Sequence, residues 1–247
     1  ALLAGLLPAG TQDDRPICLV TTDSREVDGD GALFVAFKGE RADAHHYLDS
    51  VLSKGKNGAL IEDPAFLKAN TVLVPSSRTA LQQIARDYRE NEIKDTLCIG
   101  ITGSVGKTTA KEMTAAVLSV GKTLFKKEGN FNSTIGLPLS FMEIPATTEC
   151  AVLEMGMSSR GEIAAMTQAV RPRIAVVANI GSSHLEYLGT RENIARAKLE
   201  IAMGLSEGGT LLINGDEPLL VKLGQDFGKD LPVIPEGIRV LRVSLAG

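Results

Sequence analysis

Leu97-Cys98-Ile99-Gly100-Ile101-Thr102-Gly103-Ser104-Val105-Gly106-Lys107-Thr108-Thr109 is the stretch on which the reading of this chain depends. Its first half is a near-continuous apolar run, the pattern of a strand buried on both faces. It leads directly into glycines and then into a helical pattern, with apolar Met113, Val117 and Val120 on one side. Strand, glycine loop and helix N-terminus form the context in which Gly-Lys-Thr has a mechanism. Glycines let the backbone fold tightly, so that its N–H groups point at phosphate oxygens, and the helix N-terminus adds partial positive charge. Lys107 can neutralise β and γ oxygens, and the Thr108 hydroxyl can coordinate Mg²⁺. Residues Thr102, Gly103, Ser104, Val105, Gly106, Lys107, Thr108 and Thr109 are therefore expected to hold the phosphates of ATP as a P-loop. One departure stands out. The general pattern wants glycine at position 101, which is Ile101 here, and the early glycine is Gly103 instead.

Outward from this loop, strand-like and helix-like runs alternate. Strands are expected at 17–21, 32–37, 58–61, 71–74, 96–101, 149–154, 174–179, 209–213 and 238–243, and helices at 44–54, 77–91, 107–119, 161–169, 190–204 and 216–223. Such alternation predicts an α/β architecture with a largely parallel sheet. The polar stretch Asn91-Glu92-Ile93-Lys94-Asp95 separates a charged helix from the strongest strand, and a domain boundary is expected there, dividing 1–93 from 94–247.

The 247 residues, 44% hydrophobic and 23% charged, are ordinary for a globular protein with one large domain or two modest ones. A net charge of -4 and the lack of a basic stripe argue against a nucleic-acid partner. Cys18, Cys98 and Cys150 each sit in an apolar run and read as small buried residues. Their spacing suits neither a disulfide framework nor a zinc site, which points to a reducing cytosol. No apolar run approaches the ~18 residues of a membrane span. The opening Ala1-Leu2-Leu3-Ala4-Gly5-Leu6-Leu7 meets Pro8 without a basic flank, which argues against a signal peptide.

An Mg–ATP site needs further oxygen ligands at the C-terminal ends of neighbouring strands. Ala151-Val152-Leu153-Glu154 offers an acid there, although a solvated strand-end carboxylate accounts for it equally well. His184, one of three histidines, lies in the Gly/Ser loop after the strand 174–179, a position that favours ligand or hydrogen-bonding work. Lys198 falls with Ile194, Ile201 and Leu205 in one apolar stripe. Its ammonium must snorkel out, pair with an acid, or lose its proton as burial lowers its pKa from ~10.4. A neutral amine can take up CO₂ as a carbamate, an anion that binds metal.

The runs GITGSVGKTTAKEMTAAVL, EGNFNSTIGLPLS, VLEMGMSSRGEI, ANIGSSHLEYLG and NIARAKLEIAMGL together closely resemble the Mur ligases of peptidoglycan synthesis. The segment TTDSREVDGDGALFVAFKGERADAHHYL is similar to that family's uridine-nucleotide-binding domain. Gly129-Asn130-Phe131-Asn132 and the Gly-Ser of the loop point to the branch that adds a dipeptide. The resemblance implies a uridine-nucleotide-binding α/β domain, then a P-loop-type ATPase domain that is incomplete by Gly247, with the family's C-terminal domain absent. It also implies a bacterial cytoplasmic monomer with no membrane insertion.

In the family, the lysine matching Lys107 contacts ATP phosphates, and the residues matching Thr108, Glu154 and His184 serve two Mg²⁺ ions. The residue matching Lys198, as a carbamate, supports the second metal. Asn130 and Asn132 fall where the family contacts its muropeptide, whereas position 133, commonly a second asparagine, is Ser133. Ser24 and Arg25 fall in the uridine-nucleotide region, as does Asp43-Ala44-His45, which a structural loop explains as readily. The implied reaction joins UDP-N-acetylmuramoyl-tripeptide to D-alanyl-D-alanine. The tripeptide carboxylate attacks the γ-phosphate to give an acyl phosphate and ADP; the dipeptide amine then displaces phosphate. Because the family's C-terminal domain shapes the D-alanyl-D-alanine site, these residues alone are expected to show little or no ligase activity. An amino-acid-adding ligase, an unrelated P-loop NTPase or kinase, and a non-catalytic nucleotide-binding remnant are the alternatives.

Overall fold

The computed structural model describes residues 16–39, 42–225 and 235–244. The opening apolar segment lies outside them. Two compact units part between Asp87 and Tyr88.

The first unit carries the parallel strands β1 (Leu19–Thr21), β2 (Ala32–Val35), β3 (Gly58–Ile61) and β4 (Thr71–Leu73), in the spatial order β1-β2-β3-β4. All four residues of β2 are buried, as its unbroken Ala-Leu-Phe-Val run requires. Phe34, Ala59 and Ile61 pack with Leu48 and Val51 of α1 (Leu48–Ser53). Buried Asn57 is bonded at both ends of its carboxamide at this seam: its Oδ1 accepts from Ala32 N–H at 2.9 Å and its Nδ2 donates to Val51 O at 3.0 Å. Helix α2 (Ser77–Asn91) follows β4.

The second unit is a six-stranded, all-parallel sheet. Its strands are β5 (Leu97–Thr102), β6 (Leu124–Lys126), β7 (Cys150–Glu154), β8 (Ile174–Val177), β9 (Thr210–Asn214) and β10 (Arg239–Val243), in the order β10-β9-β8-β5-β7-β6. The intervening helices are α3 (Lys107–Leu118), α4 (Gly136–Phe141), α5 (Glu162–Val170), α6 (Leu185–Leu188), α7 (Arg191–Leu199) and α8 (Pro218–Gln225). Helix α7 continues as a 3-10 turn, Glu200–Gly204. Alternate residues of β5 serve opposite faces. Ile99 and Ile101 pack with Ala115 of α3 and Val152 of β7, while Gly100 faces Met155 and Ile201. Helices cover both faces, so the strands read as apolar runs rather than alternating ones. Because β5 is flanked by β7 and β8, its C-terminal end opens on a switch point, where ligands bind in sheets of this kind.

The expected α/β class and parallel sheet are what the chain adopts, and most elements lie within two residues of their expected limits. Among the strands and α-helices, three short ones escaped the sequence pattern. Edge strand β6 has only three residues, α4 opens on Gly136 and contains Pro138, and α6 is a single turn. The division of the chain falls inside α2, a few residues ahead of the polar stretch, which begins where the helix ends at Asn91. From Tyr88 onward the residues belong to the second unit, within which Tyr88 OH donates to Ile144 O at 2.7 Å and the buried Arg89 guanidinium donates to Ile93 O. Two packing expectations are corrected. Cys98 and Cys150 are buried, but Cys18 is exposed just ahead of β1, at the edge of its sheet. Met113 and Val117 of α3 face solvent, as does Val120 just past its end; the buried side of the helix carries Lys111 and Ala115. Lys111 is tolerated there because its ammonium donates to Lys127 O at 2.8 Å and pairs with Glu112 at 3.5 Å.

Gly204 shows how tightly the 3-10 turn docks on α5. A Cβ there would stand 2.1 Å from the Thr167 carbonyl oxygen, while the Thr167 hydroxyl donates to Ile201 O at 2.8 Å. Neither backbone can yield cheaply. Gly204→Ala is expected to destabilise the protein by about 2 kcal/mol or more, measured as a lowered urea midpoint at unchanged m-value.

Candidate functional site

The site grows from the end of β5. Buried Thr102 donates its hydroxyl to Met155 O at 2.8 Å, pinning the strand end to the segment after β7. The chain then turns through Gly103, Ser104, Val105 and Gly106 into α3. Gly106 has φ +72°, a left-handed conformation that favours glycine, and it offers α3 no side-chain cap. The first ladder bond of α3 is Ala110 N–H to Gly106 O at 2.9 Å, so the amides before it stand open at the helix N-terminus. That is an anion seat. Lys107 arches back over the loop and donates to Gly103 O at 3.1 Å.

Beneath this seat, the Thr108 hydroxyl donates to Glu154 Oε2 at 2.8 Å, and Asn132 Nδ2 donates to Glu154 Oε1 at 2.8 Å. Glu154 is only 9% exposed, so the solvated strand-end carboxylate is ruled out. Asn132 is itself held by Gly156 N–H, which donates to its carbonyl at 2.7 Å. Thr108, Glu154 and Asn132, from three separate elements, thus meet in one hydrogen-bonded group. Thr108 and Glu154 present hard oxygen donors side by side, a donor set that fits Mg²⁺.

Lys198 settles one of the open choices. It is 2% exposed, among fully buried Ile194 and Ile201, so its stem lies in the interior. Among the described residues its ammonium has neither hydrogen bond nor ion pair. Burial first, and the neighbouring Lys107 charge second, push its pKa down to about 8. The adjacent Glu200 is turned the other way. Its carboxylate accepts from Gly161 N–H at 2.9 and 3.0 Å and from Ala164 N–H at 3.3 Å, capping α5.

His184 stands apart from these contacts. It is half-buried with φ +67°, at the start of α6, and no hydrogen bond joins it to Glu154 or Lys198. Among the described residues no three His, Cys, Asp or Glu side chains are grouped to hold a metal. Asn130 is exposed, beside Phe131, over whose ring Lys127 Nζ sits at 4.9 Å.

In the first unit, Arg25 donates from Nε to Asp23 Oδ1 at 2.8 Å, and its side chain is 88% exposed. The Arg25 guanidinium holds the Asp23 carboxyl down at about 2. Ser24 is engaged through its carbonyl, which accepts from Lys54 Nζ at 3.1 Å. Asp43 accepts from His45 N–H at 3.0 Å and from His45 Nδ1 at 2.6 Å, and His45 Nε2 accepts from Glu62 N–H at 3.1 Å. The Asp43-Ala44-His45 stretch is therefore a structural tie.

One group escaped the sequence reading. Asn179, just past the end of β8, is bonded to Ser104 and Val105 of the loop. Its position after a buried strand was visible, but nothing in the spacing tied it to a loop some seventy-five residues earlier.

Fold and site together define a phosphate-loop α/β unit of the nucleotide-binding kind. Residues 101–234 match the Mur ligase middle domain. The chain is 46% identical over 223 residues to the UDP-N-acetylmuramoyl-tripeptide–D-alanyl-D-alanine ligase of Bacillus subtilis, covering 89% of this chain and 48% of that protein. It is 39% identical over 204 residues to the Escherichia coli ligase of the same name, covering 82% and 44%. The MurF ligase of Thermotoga maritima in complex with ADP superposes with a TM-score of 0.83 at 33% identity, covering 96% of this chain and 52% of that one. This chain belongs to the Mur ligase family, and it spans about half the length of these relatives.

The lowered pKa of Lys198 carries a sign that can be checked. Its folded value lies below the unfolded ~10.4, so the unfolded chain binds more protons between about pH 8 and 10.4 and stability rises across that window. Lys198→Met removes the buried charge. In CO₂-free buffer the variant should be more stable than wild type by about 2–3 kcal/mol at pH 7. The gap should shrink below about 1 kcal/mol at pH 10, as read from urea titrations at the two pH values.

Proposed function

We propose that this chain is the nucleotide-handling half of an ATP-dependent ligase that joins D-alanyl-D-alanine to UDP-N-acetylmuramoyl-tripeptide through an acyl phosphate. The observation that carries this reading is the join between Thr108 and Glu154 directly below the open amides of α3, with Lys107 alongside. The activity for which the Bacillus subtilis and Escherichia coli relatives, 46% and 39% identical, are named supports the choice of substrates.

In this reading, the α3 amides and Lys107 receive the β- and γ-phosphates of ATP. Thr108 and Glu154 would hold Mg²⁺, with His184 and a carbamate on Lys198 serving a second ion. The metal supplies charge neutralisation, letting a carboxylate approach a phosphate that is itself anionic. The chain's own groups do the rest by alignment. Asn132 fixes one oxygen of Glu154, so the other stays aimed at Thr108. Lys107 is already bent over the loop, its ammonium resting on Gly103 O. Aligned anions held by fixed donors are the main source of rate in phosphoryl transfer.

Residues 1–93 are assigned to the UDP-muramoyl-peptide and 94–247 to ATP. Ser24 and Arg25 are proposed to contact the uridine nucleotide, and Asn130 and Asn132 the peptide. The half-exposed position of Ser24 and the exposed ones of Arg25 and Asn130 leave them open to a ligand. A cytoplasmic setting follows from the soluble nucleotide substrates. No helix among the described residues is long and apolar enough to cross a membrane.

Titration calorimetry tests the reading. The chain should bind Mg–ATP, and Lys107→Ala should weaken that binding by about tenfold or more, the loss of a charge-assisted contact. It should bind UDP-N-acetylmuramoyl-tripeptide independently of that substitution. Failure of the uridine nucleotide to bind would favour an unrelated phosphate-loop enzyme, and indifference of Mg–ATP to Lys107→Ala would remove the loop from the site.

A further inference from the structure

Half of the phosphate loop is occupied by a side chain. Asn179 Oδ1 accepts from Ser104 N–H and from Val105 N–H, each at 3.0 Å. Asn179 Nδ2 donates to Val105 O at 2.7 Å. The backbone adds to the join: Ala178 N–H donates to Thr102 O at 2.9 Å and Ser104 N–H reaches Asn179 O at 3.2 Å. Ser104 Oγ accepts from Gly181 N–H at 2.8 Å. The two segments approach so closely that a Cβ on Gly103 would stand 3.3 Å from the Ala178 Cβ, and one on Gly181 would stand 3.1 Å from the Ser104 Cβ.

These contacts divide the loop in two. The amides of Ser104 and Val105 turn inward to one carboxamide, which mimics a backbone partner by accepting and donating at once. The amides from Gly106 onward turn outward, before the first ladder bond of α3. A loop rich in glycine has many backbone conformations, and phosphate binding must select one of them. A side chain that fixes two amides and a carbonyl removes most of that freedom before the ligand arrives.

We propose that Asn179 is a positioning residue for nucleotide binding. It clamps the Ser104–Val105 half of the loop to the end of β8, so that the Gly106–Thr109 half is preset as the phosphate seat. The proposal rests on the nucleotide reading above and adds a residue to it. It also gives the loop a fixed register with the segment that carries His184, five residues further on.

The test uses two variants of the whole chain and two readouts. Asn179→Leu keeps the volume and removes all three side-chain hydrogen bonds. Asn179→Asp keeps the acceptor oxygens for Ser104 and Val105 and loses the donor to Val105 O. Amide hydrogen exchange in the nucleotide-free chain should show faster exchange at Ser104 and Val105 in the leucine variant, with β5 and β7 amides unchanged. Protection should return at both amides in the aspartate variant. Calorimetry should show Mg–ATP binding weakened by about tenfold or more in the leucine variant, given three bonds lost. Unchanged exchange at Ser104 and Val105 in Asn179→Leu would overturn the clamp, as would unchanged Mg–ATP affinity. If the leucine variant does not fold, the aspartate variant decides the matter, since loss of protection there would also overturn it. Absence of Mg–ATP binding by the wild-type chain would instead bring down the nucleotide reading, while the exchange arm still judged the clamp.

Discussion

The hydrogen bond from the Thr108 hydroxyl to Glu154 joins the first turn of α3 to the end of β7, and the rest of the site takes its geometry from that join. A parallel sheet brings strand ends and helix starts to one edge, but it does not by itself align a hydroxyl with a carboxylate. Alignment comes from pins on either side. Thr102 holds the end of β5 to Met155, and Asn132 holds the second oxygen of Glu154. With both oxygens engaged, the carboxylate has little rotational freedom left, although it is largely buried. A buried acid without such partners would be costly.

Charge is arranged with the same economy. Lys107 lies close enough to Lys198 for its charge to add to burial in depressing the Lys198 pKa. This arrangement costs stability in the empty protein and is suited to a ligand that brings several negative charges. Lys198 is set apart from its charged neighbours by where their heads can go. Buried Lys111 has a carbonyl and a carboxylate to receive its protons, and Glu200 has the amides of α5. Lys198 has no such outlet.

Much of this was legible in the sequence. Local patterns carry the information for strands such as β5 and β7, where unbroken apolar runs meet glycine, and for the Gly-Lys-Thr turn into α3. The apolar periodicity around Lys198 put it on a face shared with Ile194 and Ile201, because helical periodicity alone sets which residues share a face, but it left open where the ammonium goes. The same rule misled on α3. Met113 and Val117 do share a face, but periodicity cannot say which face meets the sheet, and here it is the one bearing Lys111 and Ala115. Cys18 was misread for a related reason: an apolar run at the edge of a sheet has a neighbour on only one side.

What the sequence determined by itself was the α/β class, the order of most elements, the phosphate loop and the family likeness, all of which rest on contacts between residues near in the chain. Tertiary structure alone decided the pairings across the chain. The carboxamide of Asn179 reaches the loop, Asn132 reaches Glu154, and His184 stays outside that hydrogen-bonded group. Those outcomes depend on which strand lies beside β5, and strand order is a property of the assembled sheet rather than of any segment within it.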